Sequence, residues 1–212
     1  MFIQILIVKN SWIVPFGKRL ARILMERKHQ TKIIYSVNNI KKGDILLILG
    51  WRSILLQKIL VKNRHNLVVH ESALPRGKGW SSLAWQILEG KNKIPITLFE
   101  AGEKVDSGKI YFQDKMEFEG HELVDELRLR QGEKTIELVL KFIENYPKVK
   151  GRKQKGKESF YPRRTPKNSE ININKTLKEQ FNLLRVVDNK KYPAFFNYSG
   201  RKYILKIFKT EK

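Results

Sequence analysis

Apolar residues fall along this chain in two alternating rhythms. Short runs of Ile, Leu and Val suit strands buried on both faces, and between them apolar positions recur at helical spacing. Phe2 to Lys9 predicts a first strand, after which Asn10-Ser11 offers a turn and a helix N-cap. A helix follows from Trp12 or Pro15 to about Arg27, with Phe16, Leu20, Ile23 and Leu24 on its apolar face. Thr31 to Val37 and Asp44 to Gly50 predict two more strands, Ile54 to Val61 a short helix, and Leu67 to His70 a fourth strand. Past the loop Glu71 to Lys78, the pattern predicts a helix from about Ser81 to Leu88 and a strand from Pro95 to Glu100. A turn at Asp106, a strand from Lys109 to Gln113 and a helix across Gly120 to Tyr146 complete it.

Strands alternating with helices imply an α/β fold, a Rossmann-like, doubly wound and mostly parallel sheet with its ligand crevice at the carboxyl ends of the strands. This catalytic-type unit is expected to span 1–147. The pattern then breaks: Lys148 to Lys167 is rich in Lys and Arg with little periodicity, and predicts a basic linker or ordered arm. Residues 168–212 predict a small extension, with a helix over Thr176 to Val187 and a hairpin of Ala194 to Tyr198 and Tyr203 to Phe208 around a Ser-Gly-Arg-Lys turn. An isolated hairpin is marginal, so this one is expected to pack on the main domain or on a second copy, which suggests a homodimer.

Composition removes several possibilities. The 212 residues contain no cysteine, which excludes disulfides, thiolate catalysis and cysteine-ligated zinc, and no metal is expected. No apolar run approaches the length of a membrane span, no signal-type leader is evident, and the cytoplasm is the expected location. The net charge of +22 draws attention to polyanions, but the excess is spread along the whole chain and singles out no ligand. Aromatics are not interleaved with the basic run as stacking platforms for single-stranded nucleic acid are, so a nucleic-acid-binding protein is the weaker reading.

One stretch bears on chemistry. His70 precedes a Pro-Gly-Gly loop and Asp106 sits in a Val-Asp-Ser-Gly turn. The helix and strand between them allow both side chains to meet at one sheet edge, where an imidazole and a carboxylate can do acid/base work. His29, His65 and His121 lack such a context and read as surface residues.

The order His70-Glu71-Ser72-Ala73-Leu74-Pro75, Arg76-Gly77-Lys78-Gly79, Ile87-Leu88-Glu89-Gly90, Ile96-Thr97 and Val105-Asp106-Ser107-Gly108 resembles the formyltransferases that use 10-formyltetrahydrofolate. Tyr161 to Ser169, Leu184 to Val187 and Tyr192 to Phe195 are similar to elements of the nucleotide-sugar members, and the chain looks like the short sugar N-formyltransferases of O-antigen (lipopolysaccharide) biosynthesis. The resemblance implies transfer of a formyl group to the amine of a nucleotide-linked amino deoxy sugar, such as a dTDP- or UDP-linked 4-amino-4,6-dideoxyglucose. A methionyl-tRNA-type formyltransferase is the alternative within the family. His70 and Asp106 would then be catalytic, with Ser72 and Lys78 as supports. Trp51, Arg52, Ser53, Ile54, Glu100, Val105 and Asp106 would hold the folate. Asn10, Ser11, Arg76, Lys78, Trp80, Arg163 and Arg164 would hold the sugar nucleotide. The family usually places Asn two residues before the histidine, where it polarises the formyl oxygen; here that position is Val68, with Asn66, Ser72 and Lys78 as polar neighbours in sequence.

Overall fold

The computed structural model describes residues 1–210. Its central sheet has six strands in the order β2-β1-β3-β4-β6-β7. These are β1 (Phe2–Ile7), β2 (Gln30–Ile34), β3 (Gly43–Leu49), β4 (Asn63–His70), β6 (Lys93–Glu100) and β7 (Ile110–Glu117), with the two-residue strand β5 (Lys78–Gly79) outside the sheet. The first four are mutually parallel, whereas β6 runs antiparallel to β4 and β7 antiparallel to β6. The sheet is therefore mixed and mostly parallel. Apolar periodicity reports burial and carries no information on the direction of a strand.

Helices α1 (Val14–Glu26) and α4 (Val124–Asn145) share one core with a sheet face: Leu20 and Leu24 from the first, and Leu138, Val139 and Phe142 from the second, pack with Ile3, Ile5, Ile45 and Leu47. The opposite face buries Leu6, Leu46 and Ile48 beneath Leu55 and Leu60, around the single-turn helix α2 (Gln57–Leu60). Covering both faces is what makes strands such as β3 continuous apolar runs. None of the helices in the described residues is long and apolar enough to cross a membrane.

Local outcomes differ from the sequence pattern in several places, among them the helix expected over Thr176 to Val187, which forms only over Phe181–Arg185, and the second hairpin strand, which is Arg201–Leu205. Helix α1 starts at Val14 with Ile13 as its N-cap and no side-chain cap, because the Ser11 hydroxyl donates back to the Val8 carbonyl at 2.7 Å. Strand β4 begins four residues earlier than its apolar run, since its polar residues find buried partners: Asn63 accepts from Gln4 at 3.1 Å and Asn66 donates to the Leu60 carbonyl at 3.0 Å. His65 is not a free surface residue. Its ring is wedged among Tyr111, Phe142 and Tyr146, and its Nδ1 lies 3.1 Å from Glu100.

Residues 148–167 are extended and pinned to the main domain along most of their length. Arg152 forms a two-way backbone bridge with Ile110, and β8 (Phe160–Tyr161) pairs in parallel with β5. Helix α5 (Phe181–Arg185) and the hairpin of β9 (Ala194–Tyr198) and β10 (Arg201–Leu205) form the extension, with a small core of Ile171, Leu184, Val187 and Ala194. Arg185 locks it down. Fully buried, it donates to the Glu122 carbonyl, to the Glu122 carboxylate at 3.1 Å and to Asn92 at 2.9 Å.

Candidate active site

His70 ends β4 at the carboxyl edge of the parallel strands and is buried. Its Nε2 lies 2.7 Å from the Gly77 carbonyl. A carbonyl only accepts, so this nitrogen carries a proton. The same Nε2 is 3.7 Å from the Asp106 carboxylate, which accepts the Gly79 N–H at 2.8 Å. The loop from Gly77 to Gly79 thus bonds the imidazole with its first residue and the carboxylate with its last. The tertiary fold does unite the two groups, as the resemblance implies.

Asp106 sits in the left-handed backbone region at φ +47°, a conformation that costs a non-glycine residue on the order of 1 kcal/mol or more. Gln154 holds it there. Its amide nitrogen donates to the carbonyls of Asp106 at 2.8 Å and Gly108 at 2.9 Å, closing the turn from both sides. Gly108 is required next to this grip, since a Cβ there would run into the Glu100 carbonyl.

The arm also fixes the histidine loop. The Ser159 hydroxyl accepts the Gly77 N–H at 2.9 Å, its carbonyl accepts the Lys78 N–H at 2.9 Å, and the Tyr161 carbonyl accepts the Trp80 N–H at 3.1 Å. Gly79 has φ +99°, and a side chain there would collide with the Tyr161 carbonyl. The arm therefore braces both candidate catalytic loops, and nothing in its composition signals this.

The pair opens onto a cavity of about 420 Å³. Trp51, Arg52, Ser53 and Ile54 form one wall, Val105 and Asp106 another, and Ser11 and Trp80 also line it. A second cavity of about 310 Å³ adjoins it, sharing Trp12, Arg52, Glu71, Trp80, Ser81 and Gln131, and adds Arg128, Arg163 and Arg164. The Arg163 guanidinium stacks over the Trp80 ring at 5.3 Å. Burial pushes the Arg164 guanidinium below its usual range, and this side chain already donates to the carbonyls of Val186 at 3.0 Å and Asn168 at 3.1 Å.

Several residues singled out from the sequence lie elsewhere. Glu100 turns away from the cavity and braces the sheet edge, accepting from Tyr111 at 2.7 Å and from the Asn66 N–H at 2.5 Å. Lys78 is buried, with its Nζ 2.5 Å from Glu158, and Ser72 is buried with its hydroxyl unpartnered among the described residues. Arg76 is exposed and lines neither cavity. Asn10, at φ +57°, offers its carbonyl to Lys191 at 2.9 Å and also stays outside both. Val68 does line the larger cavity, but none of its polar sequence neighbours Asn66, Ser72 and Lys78 reaches that wall. Glu71, Gln131 and Thr135 line it without having been flagged by pattern; only the adjacency of Glu71 to His70 offered a hint.

A crevice at the carboxyl ends of parallel strands, with an imidazole and a carboxylate converging on it, is a place where an α/β fold can do acid/base work. Residues 18–143 match the formyl transferase family, and the chain belongs to that family. Solved structures that share its fold include three from different settings. The methionyl-tRNA formyltransferase of Clostridium thermocellum is 22% identical with TM-score 0.85, over 100% of this chain and 94% of the other. HypX of Aquifex aeolicus in complex with tetrahydrofolic acid is 18% identical with TM-score 0.80, over 97% and 37%. A 4-N formyltransferase of Francisella tularensis is 17% identical with TM-score 0.74, over 100% and 98%. Curated relatives are mostly methionyl-tRNA formyltransferases, of whose length the chain spans between 37% and 58%.

Proposed function

We propose that this protein moves a formyl group from 10-formyltetrahydrofolate to the amine of a nucleotide-linked amino deoxy sugar. The observation that carries the reading is the His70–Asp106 pair, 3.7 Å apart, at the wall of a cavity that runs into an arginine-lined second one. Family membership supports formyl transfer. The first cavity suits the folate, bounded by Trp51 to Ile54 and by Val105 and Asp106. The second suits a base and its phosphates, with Trp80 and Arg163 presenting an aromatic face and a guanidinium.

The amine nitrogen attacks the formyl carbon, the carbonyl oxygen gains negative charge, and the bond from that carbon to the folate nitrogen then breaks. The His70 Nε2 proton, accepted by the Gly77 carbonyl in the free protein, would turn to the formyl oxygen on binding, and the proton collected at Asp106, 3.7 Å from Nε2, would be relayed through the imidazole to the departing nitrogen. Asp106, an acceptor, takes the proton that the amine loses. Enforced proximity of the amine and the formyl carbon supplies much of the remainder. The large share of methionyl-tRNA formyltransferases among the curated relatives favours charged initiator tRNA as the second acceptor to try.

Purified protein is expected to release tetrahydrofolate only when the formyl donor and a 3- or 4-amino nucleotide sugar are both present. His70→Ala and Asp106→Ala are each expected to abolish turnover without loss of fold. Silence across a panel of such sugars, with formylation of charged tRNA instead, would overturn the acceptor; near-normal activity in either variant would remove that residue from the mechanism.

A further inference from the structure

We propose that Glu71 recognises the acceptor amine as an ammonium ion before it is formylated. The inference rests on the amino-sugar reading above and deepens it. Among the described residues, three carboxylates line the two cavities, and Asp106 faces the His70 imidazole at 3.7 Å. Asp188 at the second cavity is bound to Arg128 at 2.8 Å. Glu71 is the exception at this trough: no Lys, Arg or His nitrogen lies within 4.0 Å of it among the described residues. Its carboxylate is half-buried and held by two neutral donors, the Gln131 amide at 2.6 Å and the Ser82 hydroxyl at 3.4 Å.

A half-buried carboxylate without a counter-cation pays a desolvation penalty that an arriving cation relieves. It has about four acceptor directions, of which these two donors use two. Its position decides which cation can reach it. Glu71 lines both cavities, so it faces the passage between them, and it directly follows His70 in the chain. Arg52 and Lys104 share the first cavity's lining, but Asp106 touches the imidazole and Glu71 adjoins it in the chain, whereas the Arg163 guanidinium stands over Trp80 in the second cavity. The complementary ligand is cationic toward His70 and anionic beyond Trp80, which is the charge order of an amino sugar joined to phosphates. Glu71 would hold the ammonium in register; its first proton leaves to solvent through Asp106 before attack, which returns that carboxylate to the ionised form that takes the second proton.

The test measures binding, without turnover, of the amino nucleotide sugar and of the same sugar carrying a hydroxyl in place of the amine. Glu71→Gln is the informative variant, because its amide oxygen still accepts from Gln131 while the charge is gone. Wild-type protein is expected to prefer the amine by roughly 10-fold or more. In Glu71→Gln the amine ligand should weaken by about 10- to 100-fold while the hydroxyl ligand binds as before, the size of one charge-assisted hydrogen bond. Glu71→Asp, which keeps the charge, should retain the preference. Equal weakening of both ligands would mean that Glu71 only ties the loop to its neighbours, and an unchanged preference would remove it from recognition; either overturns the inference while leaving the sugar reading standing. Wild-type protein that binds neither sugar would overturn the substrate reading and the inference with it.

Discussion

Gln154 lies in a segment whose composition reads as a linker, yet its carboxamide grips the turn that carries Asp106. Gln154→Glu keeps the size of the side chain and turns a donor into a group that repels two carbonyls. Two hydrogen bonds at 2.8 and 2.9 Å, each worth about 0.5–1.5 kcal/mol net, are lost. The turn they close also carries the backbone strain of Asp106 at φ +47°, on the order of 1 kcal/mol, which favours opening. That strain is common to wild type, so the competent turn is disfavoured by the two lost bonds, about 1–3 kcal/mol, and a displacement of about 1 Å at a reacting group by itself costs on the order of a hundredfold. Turnover in the tetrahydrofolate-release assay is expected to fall by about 10- to 100-fold, with the KM for the formyl donor nearly unchanged. Amide hydrogen exchange supplies a readout that needs no substrate. The Gly79 N–H, bonded to the Asp106 carboxylate, should exchange faster, while those of Lys78 and Trp80, held by Ser159 and Tyr161, should stay protected. Wild-type turnover in this variant, or loss of protection at all three amides together, would refute a specific role for Gln154.

Two further outcomes are expected. Val68 lines the cavity near His70 while Asn66, Ser72 and Lys78 stay off that wall, so Val68→Asn should add a donor for the formyl oxygen and raise turnover by roughly tenfold or more, and a fall measured in the same assay would show that the pocket is shaped for an apolar group. The extension should detach in acid. Burial pushes the Asp188 and Glu122 carboxyls up, but backbone N–H donors together with Arg128 and Arg185 outweigh it and hold both below their ordinary values of 3.8 and 4.5. Their contribution to stability is thus complete above those ordinary values and is lost as pH falls through the lower folded values, so proteolysis of the extension should accelerate between about pH 4 and pH 2 and stay flat above about pH 5.

Much of the scaffold was legible in the sequence alone. Buried strands such as Gly43–Leu49 and amphipathic helices such as Val14–Glu26 follow from the burial of one stripe or of both faces, a local property that the residue pattern records. The spacing of His70 and Asp106 was legible too, because it lies within one continuous motif. What the pattern could not contain was strand direction, since β6 and β7 are antiparallel in a run that reads like the parallel strands before it. Nor could it contain the pairing of Glu100 with His65 and Tyr111, which withdraws that carboxylate from the cavity, or the burial of Lys78 against Glu158. The same holds for Gln154 on the Asp106 turn and for Glu71 between two cavities: each depends on contacts between residues remote in sequence, and such contacts exist only once the chain has closed on itself.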